Sequence, residues 1–504
     1  MGGKSSSNLF TVFKSRFPAN IDTAFLTTQD GTAFSYRDLD EKSAQVANLL
    51  ISLGLNKGDR VSVQVEKCPE MLWLYLGALR AGLVFHPLNT AYTKSELEYF
   101  LTNAEPALAV CDTSSEHIFQ ELCSSTGIAN LLTLDQAEGG SLQEKAQAES
   151  TQFDTRETAP EALAALLYSS GTTGLPKGIM LSHENLIENA SILTDYWGFS
   201  SDDCLLHSLP IFHTHGLFVA IGCALMSGAS MRWLSKFEVT AILDELPNCT
   251  VMMGVPTYYT RLLSCSGFTR DVVKNMRLFI SGSAPLRANT FNEFKARTGH
   301  SILERYGMSE TGMNTSNPLN GERRAGTVGF PLPGVEVRVT DKKNRVLPKN
   351  DVGELQVKGK NVFAGYWKMP EKTEQEFTKD GFFITGDKAS VDDDGYISIA
   401  GRSKDMIICG GLNVYPKEIE LIIDELEGVT ESAVIGIPNR DLGEAVAAAI
   451  VLDAGATNTD SDIIADLKEQ LANFKVPKKV FFVNELPRNT MGKVQKSLLR
   501  EKYS

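Results

Sequence analysis

The sequence predicts an α/β protein: a large, multi-layered N-terminal domain of mixed sheets and helices at residues 1–402, and a small α+β C-terminal domain at residues 403–504. Three observations carry that expectation. A chain of 504 residues is too long for one compact core. Strand-like and helix-like segments alternate from Tyr36 to about Ile399, the signature of layered α/β architecture. Near Gly401-Arg402-Ser403-Lys404-Asp405 the pattern changes, and the remainder reads as a compact unit of its own.

The elements follow from periodicity. Tyr36 to Leu53 places apolar residues at helical spacing and stops at Gly54. Arg60 to Val65 alternates as a strand does, Met71 to Ala81 reads as a helix, and Val84-Phe85 begins another strand. Ala137 to Pro160 is polar and is expected to be a surface excursion. Leu163 to Tyr168 is a short apolar run of the buried-strand type. In the last hundred residues helices are expected at Pro416–Leu426 and Ser461–Ala472, and strands at Ser432–Gly436, Val446–Leu452 and Val480–Val483. No tandem repeat occurs.

Composition narrows the function classes. Apolar residues make up 42% and charged residues 22%, as in ordinary globular proteins. The net charge of −13 argues against a nucleic-acid partner, although it leaves room for a small basic pocket. The eight cysteines form no CxxC pair and read as small buried residues in a reducing compartment, with the cytoplasm the expected location. No apolar run is long enough for a membrane span, and the N-terminus lacks a signal-peptide core. Gly2 and Ser6 fit the loose myristoylation spacing, but a plain N-terminal tip is the preferred reading. The terminal Glu501-Lys502-Tyr503-Ser504 is not a peroxisomal address.

The most informative string is Tyr168-Ser169-Ser170-Gly171-Thr172-Thr173-Gly174-Leu175-Pro176-Lys177-Gly178. After a buried strand, such a loop offers backbone N–H groups, hydroxyls and one lysine charge to phosphate oxygens. It is not a Walker A loop, because Pro176 and Gly178 occupy positions that need glycine and Ser/Thr. The string resembles the phosphate loop of the adenylate-forming superfamily, which includes acyl-CoA synthetases, nonribosomal adenylation domains and luciferases. Further motifs of that superfamily follow in order: Leu181-Ser182-His183 with Asn185, Tyr306 to Thr311, Thr385-Gly386-Asp387, Gly401 to Asp405, and Pro487 to Lys493.

The resemblance implies ATP and coenzyme A as substrates, Mg²⁺ as cofactor, and an acyl-adenylate intermediate. It makes Lys493 the catalytic lysine of adenylation, and Glu310 with Thr173 the magnesium site. Ser169, Ser170, Gly171, Thr172, Thr173, Gly174 and Lys177 would hold phosphates. Gly282, Ser283, Ala284, Glu304, Arg305, Tyr306, Gly307, Met308 and Thr311 would line the nucleotide site, with Asp387 and Arg402 at the ribose. Lys404 matches the hinge about which the mobile C-terminal domain swings, and Gly410, Gly411 and Leu412 match the loop facing the thiol. His213 falls in a segment at the acyl pocket; no further ligand cluster accompanies the His213/His215 pair, so a zinc site is not expected.

Two arginines bear on the acid. Relatives often carry glycine or alanine where Arg305 stands, and the segment containing Arg261 borders their acyl pocket. A guanidinium there would pair bidentately with a second carboxylate and penalise apolar acids. GVPTYYTRLL, LERYGMSETGMNTSNP and LPRNTMGKVQK resemble the malonyl-CoA synthetase branch, which implies malonate and methylmalonate, with Arg261, Arg305, Ser283 and His213 around the acid. Three rivals stay open: a ligase for oxalate, acetate or a hydroxycinnamate; an adenylation domain loading a carrier protein; and a non-catalytic nucleotide-binding protein. Small molecules are the expected partners, and the sequence leaves monomer and dimer equally open.

Overall fold

The structure, a computed structural model, describes residues 7–135, 139–168, 176–409, 412–439, 442–489 and 492–504. The phosphate-loop residues Ser169, Ser170, Gly171, Thr172, Thr173 and Gly174 lie outside the described residues, as do Gly410, Gly411, Gly2 and Ser6.

The helices begin and end where local chemistry requires. Tyr36–Ser52 starts with a capping box in which Ser35 and Asp38 satisfy each other's backbone N–H. It buries Leu39, Val46 and Leu50 against Pro69–Ala81, a helix opened by Pro69 and closed by Gly82 in the left-handed region. The second helix is buried on nearly all sides, from Leu72 and Trp73 to Leu79. Each fully buried leucine there contributes about 1.5–3 kcal/mol relative to exposure.

Among the described residues, four sheets form. One runs in the order Gly365–Tyr366, Gly178–Ser182, Leu163–Tyr168, Val84–Pro87, Arg60–Gln64, Leu108–Cys111, Asn130–Thr133. Its members are parallel from Leu163–Tyr168 to Asn130–Thr133. A nine-stranded sheet holds Leu303–Met308, Leu278–Ser281, Val251–Gly254, Cys204–His207, Ser230–Trp233 and Ala24–Thr28 side by side and parallel, with short antiparallel strands at both edges. One continuous apolar core joins the two sheets. A four-stranded antiparallel sheet, Glu336–Thr340 to Ile397–Arg402, follows.

The fourth sheet belongs to the C-terminal unit. Val429–Asn439 and Gly443–Leu452 pair antiparallel, Lys479–Phe482 adds in parallel, and Ile407–Cys409 with Leu412–Val414 completes the other edge. Pro416–Ile423 and Asp460–Gln470 cover one face, and Lys496–Tyr503 packs Leu499 against the other. The strands are longer than their apolar runs, because ladder hydrogen bonds continue through polar residues such as Glu431 and Glu444. Within the stretch expected to be an excursion, Ser141–Gln147 is a helix that buries Leu142 and Ala146, two apolar residues in a polar run too short to reveal a period. None of the described helices is long and apolar enough to cross a membrane.

Arg80 ties three segments of the N-terminal core. Only 2% exposed, it donates to the Asp40 carbonyl at 2.6 Å and carboxylate at 2.9 Å, to Ser43 Oγ at 3.0 Å and to the Phe153 carbonyl at 2.8 Å. Arg80→Leu is expected to cost about 2–4 kcal/mol by leaving these acceptors unmet, read as a lower urea midpoint for the N-terminal transition.

Candidate functional site

The parallel strands Cys204–His207, Val251–Gly254, Leu278–Ser281 and Leu303–Met308 all end at one edge of their sheet. The segments leaving those ends carry His213 and His215, Tyr258 and Arg261, Ser283, and Glu310. Ligands of open α/β sheets bind at such carboxyl ends.

Arg305 lies at the centre of this edge. It is 3% exposed, and its Nε and Nη2 have no hydrogen-bond partner. Burial pulls its pKa down to about 10, so it remains a cation at neutral pH. Space for the guanidinium depends on Gly282: a Cβ there would lie 2.3 Å from Arg305 Cζ. The next residue, Ser283, holds φ at +70°, a conformation that costs a non-glycine residue energy and marks a constrained site. Its Oγ sits 3.3 Å from His215 Nδ1. Burial, then the charges of Lys493 and Arg305, pushes His213 down to about 3; His215 falls well below its ordinary value through burial and Arg305. Both imidazoles are therefore neutral and add no repulsion to the arginine. Arg261 is not brought to this cluster. It is exposed on the helix Pro256–Leu263, where its charge reaches the Tyr258 phenol.

A second group forms around Asp387, which is 3% exposed. It accepts from Tyr306 Oη at 2.5 Å and pairs with Arg402 Nε at 2.8 Å. Burial raises the Asp387 pKa against the opposing pull of Arg402, and burial with the Asp387 charge drives the Tyr306 phenol well up. Tyr306 and Asp387 come from different sheets, with Arg402 at the end of its strand, so the cluster exists only when they are docked.

The turn of the hairpin Leu303–Met308/Gly312–Ser316 holds Glu310 and Thr311. Thr311 is fully buried, and its Oγ1 accepts from Asn314 Nδ2 at 2.7 Å. Glu310 is buried, 3.3 Å from the Tyr366 hydroxyl, and burial raises its pKa. That hydroxyl also lies 2.9 Å from Glu376 Oε2, and Glu376 Oε1 pairs with Lys177 at 3.3 Å. Lys177 stacks over the Tyr366 ring at 4.2 Å. No group of three His, Cys, Asp or Glu side chains able to hold a metal occurs among the described residues. One buried hard carboxylate nonetheless suits Mg²⁺, which fills its octahedron with phosphate oxygens and water, and the cation would offset the burial that now disfavours the Glu310 charge.

Lys493 reaches into the same cleft from the C-terminal unit. Its turn is closed by Asn489, which bonds the Lys493 backbone in both directions at 2.9 Å. The side chain keeps solvent access, yet crowding by the cleft and the charge of Arg402 lower its pKa, while Asp387 and Glu310 oppose that shift. Arg287 Nε joins Asp424 Oδ2 across the two units at 3.3 Å. Lys404 and Leu412 are exposed near the start of the C-terminal unit, and Ala284 is exposed in its turn. Gly307 and Met308 lie on the hairpin strand between Tyr306 and Glu310.

Sequence reasoning missed Tyr366 and Glu376, which connect Glu310 to Lys177. Glu376 follows a short helix whose sequence, PEKTEQ, looks like any solvated surface. It missed His215 as a partner of Ser283, although the paired histidines were a visible signal. Glu304, expected at the nucleotide, accepts from Leu286 N at 2.9 Å and fastens the turn after Ser281.

Burial raises Glu304 from 4.5 to about 8. A carboxyl raised on folding stabilises the native state fully below the unfolded pKa, and that contribution fades as pH rises through the folded one. Stability should therefore fall between about pH 4.5 and 8 in the native chain. Glu304→Gln, which keeps the acceptor for Leu286 N, is expected to flatten the plot of Tm against pH over that window.

The AMP-binding enzyme family matches residues 14–367, and the AMP-binding enzyme C-terminal domain matches residues 418–493. A malonate–CoA ligase of Arabidopsis thaliana is 33% identical, with 98% of this chain and 89% of that one covered. ATP-bound MatB from Rhodopseudomonas palustris superposes with a TM-score of 0.96 at 52% identity, covering 99% of both chains. The apo form of the same protein superposes at 0.86. The shared fold, the two matched domains and this identity over nearly the whole length place the chain in the AMP-binding enzyme family.

Proposed function

We propose that the protein ligates malonate, and methylmalonate less readily, to coenzyme A through an acyl-adenylate. One observation carries the choice of acid: Arg305 is a buried cation with two unmet donors beside Ser283, His213 and His215. A distal carboxylate would accept from both nitrogens, whereas an apolar acid would leave the charge unpaired. The name of the Arabidopsis relative, a malonate–CoA ligase, supports the same acid class. Arg261, from its exposed helix, would join the distal carboxylate only if its side chain turned inward over Tyr258.

The reaction balances in two halves. A malonate oxygen attacks the α-phosphorus and the bond to pyrophosphate breaks. The thiol sulfur of coenzyme A then attacks the acyl carbon, its proton is lost, and AMP departs. Lys493, whose ammonium senses the charges of Arg402, Asp387, Glu310 and Arg305, would bridge the attacking carboxylate and the α-phosphate. Tyr306 would lie against adenine, and Asp387 with Arg402 would hold the ribose hydroxyls. Thr311 would bond near the α-phosphate. Glu310 with Thr173 would hold Mg²⁺, which supplies neutralisation of phosphate charge. Lys177 and the loop from Ser169 would take the outer phosphates, with Lys177 released from Glu376. The chain would divide at residues 402/403, Lys404 acting as the hinge that exchanges Lys493 for the loop of Gly410, Gly411 and Leu412. Eight free thiols support a reducing compartment, the cytoplasm.

Pyrophosphate release with ATP, Mg²⁺ and coenzyme A across malonate, methylmalonate, succinate, acetate and laurate is expected to favour malonate. Arg305→Ala should lower kcat/KM for malonate by roughly 100-fold or more while relaxing the preference against acetate. If acetate or laurate leads in the native enzyme, the arginine reading is wrong and only the adenylate chemistry stands. Lys493→Ala should slow adenylation by about 100-fold or more, yet leave thioester formation from supplied malonyl-AMP within several-fold of native. Equal loss in both halves would refute the exchange of the two C-terminal elements.

A further inference from the structure

A buried lysine outside the nucleotide site has no assigned role. Lys67 is 6% exposed, follows the strand Arg60–Gln64, and has no carboxylate partner among the described residues. Its Nζ faces three acceptors: His207 Nδ1 at 2.8 Å, the His207 carbonyl at 2.9 Å and the Leu234 carbonyl at 2.6 Å. It also stands 4.2 Å over the Trp233 ring. Burial pulls its pKa well down, but three acceptors and an aromatic face are the environment of an ammonium with three N–H donors.

This contact decides the state of His207. An ammonium donating to Nδ1 leaves the ring proton on Nε2, and Nε2 lies 3.0 Å from the Gly216 carbonyl, to which it donates. The ring is held flat by stacking on Trp233 at 5.0 Å. The opposite tautomer would place two acceptors face to face at Gly216. The Gly216 carbonyl also receives the Ile221 N–H of the π-helical turn His215–Ala220, and π-helical turns recur at functional sites. Gly216 cannot shift inward, since even a Cβ on it would lie 2.0 Å from the Pro210 carbonyl. His215, one residue earlier, meets Ser283, and both His213 and His215 sense the Arg305 charge.

We propose that Lys67 is a positioning residue for the acid: by setting the His207 tautomer it anchors Gly216, and so the His213–His215 wall of the Arg305 pocket. This rests on the acid-pocket reading above. Lys67 also lines a cleft of about 180 Å³ with Ser208, Phe212, Lys236 and Tyr258, so a role in that cleft apart from the acid, read through the KM of the other substrates, is the competing result to be measured.

The test separates polar bonding from ring packing. His207→Phe keeps the stack on Trp233 but loses both bonds; His207→Gln can accept from Lys67 and donate to Gly216. In the full-length enzyme, His207→Phe is expected to raise KM for malonate about 10-fold or more with KM for ATP within about twofold, and His207→Gln to recover most of the loss. Lys67→Met should reproduce His207→Phe. A folded His207→Phe enzyme with native KM for malonate overturns the proposal, as does a rise in KM for coenzyme A alone in Lys67→Met. Arg305→Ala, assayed alongside, separates the two readings: if it leaves KM for malonate unchanged, the pocket itself is misassigned. If it raises that KM while His207→Phe does not, only the link through His207 fails.

Discussion

A guanidinium held out of water without a carboxylate is the constraint around which the carboxyl edge of the nine-stranded sheet is organised. Arg305 forms no ion pair among the described residues, and a buried cation in that condition is costly. Its neighbours each reduce the penalty or direct it. Gly282 makes room, the imidazoles of His213 and His215 stay neutral, and the strained Ser283 presents a hydroxyl at the same place. A stability deficit concentrated at one point is what an anionic ligand can relieve, and on the proposed reading affinity and specificity would arise from the same unmet donors.

The end proposed for the nucleotide is built on the opposite plan. There the charges are already paired: Asp387 with Arg402 and Tyr306, and Glu376 with Lys177. These pairs span separate strands and sheets, so they report whether the layers are docked as well as offering polar groups to a ligand. Lys493 joins this end from the C-terminal unit, and Arg287–Asp424 is a polar link between the two units.

Much of the secondary structure was legible because it depends on local physics. The helix from Tyr36 has a capping box and regular apolar spacing, and the strand at Leu163–Tyr168 is an unbroken apolar run. Elements whose stability comes from neighbours were not: Ser141–Gln147 and Lys496–Tyr503 are short and polar, and each is held by a few residues packed against a distant surface. The nucleotide motifs could be found as strings. Tyr366 and Glu376 could not be given roles, since what matters is a phenol between two carboxylates that lie far apart in the chain.

The two arginines mark the same division. By residue type and position alone, Arg261 and Arg305 were both candidates for a second carboxylate, because a guanidinium offers the same donors wherever it stands. By itself the sequence determined the chemistry available, including the ordered motifs, the lysine in the last of them and the spare positive charge. Only the tertiary structure decided which charge is buried and unpaired, leaving Arg305 at the sheet edge beside Gly282 and Arg261 exposed on its helix. Burial is a property of the surrounding layers, and it is burial without a partner that separates Arg305 from Arg261.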